Sequence, residues 1–234
     1  MALSSNTLFH FTKDLDTIKF ILNDGYFWPI YCIEYDKGTD DHGEYDALPM
    51  VSFCDIPLSQ ISEHIADYGS FGIGISKQWG KERISPVVYY KDKNAIMRFL
   101  FDKLMPKITQ RDSVLWLSLL KRYYGGTWSQ SKKKYYNKVL YNEREWRYIP
   151  RKLNTKDLSR KVKDINGFNA KAESERLRRY GLRFEYDIIK YIFVQDDKKK
   201  NELIQFINDS SFNSSVKEHL LRCVLTIKQI KEDF

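Results

Sequence analysis

Phe71-Gly72-Ile73-Gly74-Ile75-Ser76 alternates glycine with isoleucine. A period of two is the signature of a strand, and glycine repeated inside one suits close approach by another backbone or by a ligand. A chain built around such a segment needs a sheet and something packed tightly against it. Thr7 to Phe11 reads as an earlier short strand with Leu8 and His10 on one face and Phe9 and Phe11 on the other. Leu48 to Phe53, Val87 to Tyr90, Glu145 to Ile149, Ile188 to Val194 and Cys223 to Ile227 read as further strands.

Helical spacing separates these segments. Leu15, Ile18 and Leu22 recur on one face, Thr12 or Asp14 caps the start and Gly25 supplies the left-handed stop. Ile61, Ile65 and Tyr68 share a second helical face that ends at Gly69. Asn94 to Tyr124 is mostly helical material broken at Pro106 and ended by Gly125 and Gly126, and Glu202 to Ile207 is a short helix. Tyr31 to Ala47, without periodicity, reads as a long loop. Strands and helices interleave without the regular alternation of a doubly wound sheet. The expected class is therefore α+β, a mixed and mostly antiparallel sheet with packed helices. We expect one domain over 1–234, with a helical insertion near 91–126.

No apolar run approaches the ~20 residues that cross a bilayer, and the N-terminus lacks a basic-then-apolar leader, so a cytoplasmic protein is expected. Cys32, Cys54 and Cys223 are odd in number and widely spaced, which suggests neither a disulfide framework nor a metal site. The formal charge of +8 is unevenly distributed. Arg151 to Arg183 carries 11 Lys or Arg against 4 Asp or Glu, an excess of seven. A face of that kind meets the phosphates of a nucleic acid or an acidic protein, or is simply solvated. Lys132 to Lys138 is also basic and rich in tyrosine.

Polar groups in four segments sit where a plain core would not want them. His10 lies between two phenylalanines. Ser52 and Phe53 precede a strand-to-helix corner at Asp55-Ile56-Pro57. His64 and Tyr68 are four apart on a helix, immediately before Gly69, Gly72 and Gly74, where an aromatic ring beside exposed amides can hold a heterocycle and a phosphate. In Asn142-Glu143-Arg144-Glu145-Trp146-Arg147, strand geometry puts Glu143, Glu145 and Arg147 on one face. Two carboxylates ~7 Å apart repel unless a cation or a ligand hydroxyl satisfies them, which marks either a site or a salt-bridged edge strand.

Taken in order, Leu8-Phe9-His10-Phe11-Thr12, Cys54-Asp55-Ile56-Pro57, Tyr68-Gly69, Phe71-Gly72-Ile73-Gly74, Trp79-Gly80 and Glu143-Arg144-Glu145-Trp146-Arg147 resemble the AbiGi family, as does the ending Ile227 to Phe234. The resemblance covers nearly the whole chain. It implies phage defence by abortive infection, on the antitoxin side of a toxin–antitoxin pair whose toxin is a nucleotidyltransferase-like protein.

A more distant resemblance is to the ADP-ribosyltransferase superfamily, with His10 on the early strand, Ser52 or Tyr68 in the middle unit and Glu145, or its neighbour Glu143, on the late strand. It implies NAD as cofactor. His10 would hold the adenosine ribose, the aromatic ring of Tyr68 or Phe53 the nicotinamide, and Glu145 the nicotinamide ribose hydroxyl. Arg147 or Arg144 would hold the pyrophosphate. A carboxylate fixed on the ribose 2′-hydroxyl stabilises the oxocarbenium-like state formed when the glycosidic bond breaks. The catalytic set expected on this reading is Glu145, His10 and Tyr68, and the cofactor set is His10, Ser52, Phe53, Tyr68, Glu143 and Arg147, with no metal. The alternative is a non-catalytic antitoxin or regulator that binds a partner toxin or RNA through 151–183. No RRM, KH or zinc-finger signature supports a plain RNA-binding module.

Overall fold

The structure is a computed structural model that describes residues 5–34, 43–91, 99–104, 107–129 and 134–233. Strand β1 (Thr7–Thr12) leads into helix α1 (Leu15–Asp24). Asp14 caps that helix by accepting from the Thr17 amide at 2.7 Å, and Gly25 closes it at φ 69°, where a side chain would be strained. Short β2 (Tyr26–Phe27) and β3 (Ile30–Ile33) follow, then the long β4 (Tyr45–Cys54), α2 (Ile61–Tyr68), β5 (Phe71–Ser76), α3 (Lys77–Gly80) and β6 (Ser85–Pro86).

The middle of the chain supplies β7 (Val88–Tyr90), α4 (Gln110–Leu119), β8 (Leu120–Arg122), the hairpin β9 (Tyr124–Ser129) with β10 (Lys134–Val139), and β11 (Glu145–Tyr148). The last part carries β12 (Arg160–Val162), α5 (Ala170–Glu173), β13 (Leu182–Arg183), β14 (Ile189–Val194), α6 (Asp197–Asp209), α7 (Ser214–Arg222), β15 (Val224–Thr226) and α8 (Ile227–Asp233).

Among the described residues the main sheet runs β15-β14-β5-β1-β4-β11-β6, with β3 and β12 paired to the far part of β4. Only β14 with β15 is parallel in this sheet. The class is α+β with a mostly antiparallel sheet, as expected. One face carries Leu8, Val51, Phe53, Ile73, Ile75 and Ile192, covered by Ile18 and Leu22 of α1, Leu203 and Ile207 of α6 and Leu220 of α7. The other carries Phe9, Cys54 and Phe193, covered by Ile61 of α2 and by Ile227 and Ile230 of α8. A smaller cluster of Tyr31, Ala47, Leu153, Leu158, Val162 and Leu177 lies under the 151–183 segment.

The alternating strand β5 is central, and its isoleucines fill the first face. A Cβ on Gly74 would stand 2.7 Å from Phe9 Cε1, and one on Gly72 would stand 2.2 Å from Phe193 Cζ. The close approach that the glycines permit is thus made by two core aromatic rings, Phe9 and Phe193.

Several elements differ from expectation. Tyr31 to Ala47 is not one loop: Ile30–Ile33 pairs antiparallel with β4, which begins at Tyr45. Long-range pairing overrides the missing local period there, and residues 35–42 lie outside the described set. Val88–Tyr90 does not extend the main sheet but pairs parallel with Leu120–Arg122. The helix expected to reach Tyr124 stops at Leu119, and Gly125 and Gly126 lie within β9, where the Tyr135 ring occupies the place of a Gly126 side chain. Pro106 lies outside the described residues, as does Phe234. The helix expected over Glu202–Ile207 is one part of the 13-residue α6, and α7 carried no expectation. No described helix is long and apolar enough to cross a membrane.

Candidate functional site

β11 is preceded by a 3-10 turn, Leu140–Glu143, and by Arg144 at φ 46° and ψ 45°. Arg144 is the single non-glycine residue with positive φ among those described, a conformation costly for a side chain and informative where it occurs. Its guanidinium stacks 4.2 Å above the Tyr141 ring and donates to the Tyr141 hydroxyl at 2.8 Å. This left-handed step lets Glu143, from the turn, reach the same side as Glu145 and Arg147, from the strand. The expected carboxylate pair with its arginine therefore exists, although Glu143 arrives by a turn and not along a strand.

These side chains belong to a buried ladder of alternating charge. Arg147 donates to Glu34 at 3.1 Å and, through Nε and Nη2, to Glu145 at 2.7 and 3.0 Å. Lys121 Nζ lies 2.7 Å from Glu145 and 2.6 Å from Glu143. Lys138 lies 3.0 Å from Glu143 and 2.7 Å from Asp67, which also accepts from the Tyr136 hydroxyl at 2.8 Å. Ser52 donates to Glu145 at 2.7 Å, and the Tyr68 hydroxyl donates to Glu143. The ladder ties β3, β11, β8, β10 and α2 together.

Burial raises the cost of every charge here, and neighbouring opposite charges win. Desolvation pushes the Glu145 carboxyl up, but Arg147 and Lys121 together hold it far below the usual carboxylate range. Glu143 is held low against the same burial by Lys121 and Lys138. Lys121 is raised well above its ordinary value despite burial, by Glu143 and Glu145. Tyr68 is raised strongly by burial and by Glu143. Both oxygens of Glu145 are engaged by cations and a hydroxyl, so it is a poor proton acceptor and has little capacity left for a ribose hydroxyl.

The structure brings Ser52, Tyr68, Glu143, Glu145 and Arg147 together and leaves His10 and Phe53 elsewhere. Cys54 pairs with both Phe9 and Glu145 across neighbouring strands, which puts Phe9 and Glu145 on one face and His10 on the other. His10 packs against Phe27 and Phe53 with ring centroids 5.4 and 5.6 Å away, and its Nδ1 lies 2.9 Å from the Ser52 carbonyl oxygen. Burial lowers its pKa. The expected convergence of His10 with Tyr68 and Glu145 is not met, because one residue of register sends a side chain to the opposite face.

A hollow of about 140 Å³ lined by His64, Lys138, Val139, Asn142 and Glu143 borders the ladder. Cofactor pockets run ~300–1,000 Å³. Among the described residues no group of three or more His, Cys, Asp or Glu is arranged to hold a metal. Sequence reasoning missed Lys121, Glu34 and Asp67. Lys121 sits in a stretch read as helix, and the other two carry no local signal. Lys138 lay in a segment already noted as basic and tyrosine-rich.

A family model described as "Putative abortive phage resistance protein AbiGi, antitoxin" matches residues 26–195. The abortive phage resistance protein AbiGi of Lactococcus lactis subsp. cremoris is 29% identical over an alignment that covers 80% of this chain and 89% of the relative. No solved structure matches the chain.

Proposed function

The chain belongs to the AbiGi family of abortive phage resistance proteins, and on that premise we propose that it serves phage defence as a non-catalytic antitoxin, binding a partner toxin protein through its basic surface. The observation that carries the non-catalytic part is the saturated ladder, in which Glu143 and Glu145 hold each other's shared cation and have no free role in chemistry. An ADP-ribosyltransferase-like site with NAD would need His10 on the Glu145 face and a larger hollow beside Tyr68. Neither enters the proposal.

The basic surface is narrower than the sequence excess. Buried Asp157 takes Arg176 and Arg179 at 2.7 Å each, and Arg178 pairs with Glu175 at 3.1 Å. Arg151, Lys152, Lys156, Lys163 and Lys171 are exposed and have no acidic partner among the described residues. They form the charge available to an acidic face of a toxin.

Two assays test the reading. Purified protein incubated with NAD should release no nicotinamide, and release that disappears in Glu145→Gln would restore the transferase reading. Cells carrying the cognate toxin should be protected by the chain and, at a temperature where it is folded, by Glu145→Gln. They should lose protection when Lys152, Lys156 and Lys171 are changed to Glu. Protection that survives this reversal would remove the basic surface from the proposal.

A further inference from the structure

We propose that the open hollow at the end of β14, β5 and β1 binds a nucleotide-sized ligand bearing a di- or triphosphate. The hollow holds about 470 Å³ and is lined in part by Ser76, Lys77, Gln78, Lys81, Lys190 and Tyr191. That volume falls in the ~300–1,000 Å³ range of small-molecule sites, and it is distinct from the hollow beside Tyr68.

Charge decides the ligand class. Three lysines line the hollow, and among the described residues no carboxylate does. Lys77 is held by Asp55, Nζ to Oδ2 at 2.5 Å, and Asp55 also accepts from the Ser5 amide at 3.0 Å, so this ammonium is fixed in place. Lys81 and Lys190 are exposed, with no acidic partner among the described residues. Lys190 reaches only the Asp187 carbonyl, at 3.3 Å. In the ladder each cation stands between carboxylates, whereas here two ammonium groups share one concavity with no acidic partner among the described residues. Like charges in a concave wall raise the local concentration of anions. A diphosphate or triphosphate supplies several negative charges to meet Lys81 and Lys190.

The neutral part of the lining fits the rest of a nucleotide. The Tyr191 ring is half-buried and held at an interplanar angle of 26° on Phe9, with centroids 6.1 Å apart, so its orientation is set before any ligand arrives. The Gln78 amide is exposed, and the Ser76 hydroxyl accepts from the Trp79 amide at 3.5 Å while its own hydrogen remains to donate. Lysine contributes point charges with mobile stems, so phosphate is recognised by charge more than by shape.

Isothermal titration of the full chain separates the components. ATP and inorganic pyrophosphate should each bind one-to-one, and adenosine alone should not saturate. Changing Lys81 and Lys190 together to Glu should weaken ATP at least tenfold at an unchanged melting temperature, while the exposed Lys198→Glu should leave it unaltered. If the reversal disturbs folding, the paired change to Gln removes the charge more gently and should still cost several-fold. Absent saturation by both ATP and pyrophosphate, or unchanged affinity in the double variants, overturns the proposal. Binding of an oligouridylate at these lysines with none of ATP overturns it in favour of a nucleic-acid surface. NAD turnover that depends on Glu145 would overturn the preceding proposal and leave this one standing.

Discussion

Glu143 and Glu145 share one ammonium group: Lys121 Nζ stands 2.6 Å from the first and 2.7 Å from the second. Two buried carboxylates two residues apart are tolerable because that cation, with Lys138 on one side and Arg147 on the other, makes the signs alternate. The relation is local in space and remote in sequence, since Lys121 comes from β8.

Lys121→Met should therefore be costly. It leaves two buried carboxylates facing each other, and removing one partner from a buried ion pair costs ~3–5 kcal/mol. Urea denaturation should show that loss. A change under about 1 kcal/mol, the range of an exposed pair, would mean the ladder is wet and weak.

Glu145→Gln should lower stability by ~2–4 kcal/mol, because Arg147 and Lys121 lose a charged partner while some hydrogen bonding survives. Phage protection should persist where the variant is folded. Lost protection at an unchanged melting temperature would point to chemistry at Glu145.

Stability should fall with acid in two windows. His10 has a folded pKa below its ordinary 6.5, so as pH drops below 6.5 the unfolded chain takes up the proton first and folding is penalised. Glu143 and Glu145 have folded values below their ordinary 4.5; their contribution is complete above pH 4.5 and is lost as pH falls below it. Melting temperature against pH should show both steps, and His10→Asn should flatten the upper one. A variant curve parallel to that of the parent through pH 5–6.5 would remove His10 as the cause.

Gly72→Ala should destabilise by ~1–3 kcal/mol through overpacking against the Phe193 ring. Phe193→Leu in the same chain should recover part of that, which a double-mutant cycle measures as coupling. Strict additivity would mean that the two sites relax independently.

Toxin binding through the 151–183 surface should weaken steeply between low and physiological salt, because exposed charges are screened within ~8 Å at 0.15 M. A salt-independent affinity for the purified partner would place the contact on an apolar face.

Much of this architecture was legible in the residues. The cap at Asp14, the stop at Gly25 and the alternation of β5 are local signals, and local physics enforces them. The family resemblance rested on short segments in order; the match over 26–195 shows the family, while Leu8 to Thr12 and the ending from Ile227 lie outside it. Less local features were misread: β3 is held by pairing with β4, and β8 interrupts a run of helix-forming residues because Val88–Tyr90 offers it a partner.

The same division runs through the site. Sequence alone determined that Glu145 and Arg147 would share one face, since strand alternation sets that, whereas Glu143 joins them through the left-handed turn at Arg144. Only the tertiary structure decided that Lys121, Lys138, Glu34 and Asp67 would close around them, and that His10 would face the opposite core. Which cation meets a buried carboxylate depends on strand order and register, and a shift of one residue exchanges the two faces of a strand. Motif order survives in a sequence, whereas the side of the sheet on which each side chain lies is fixed by pairing across it.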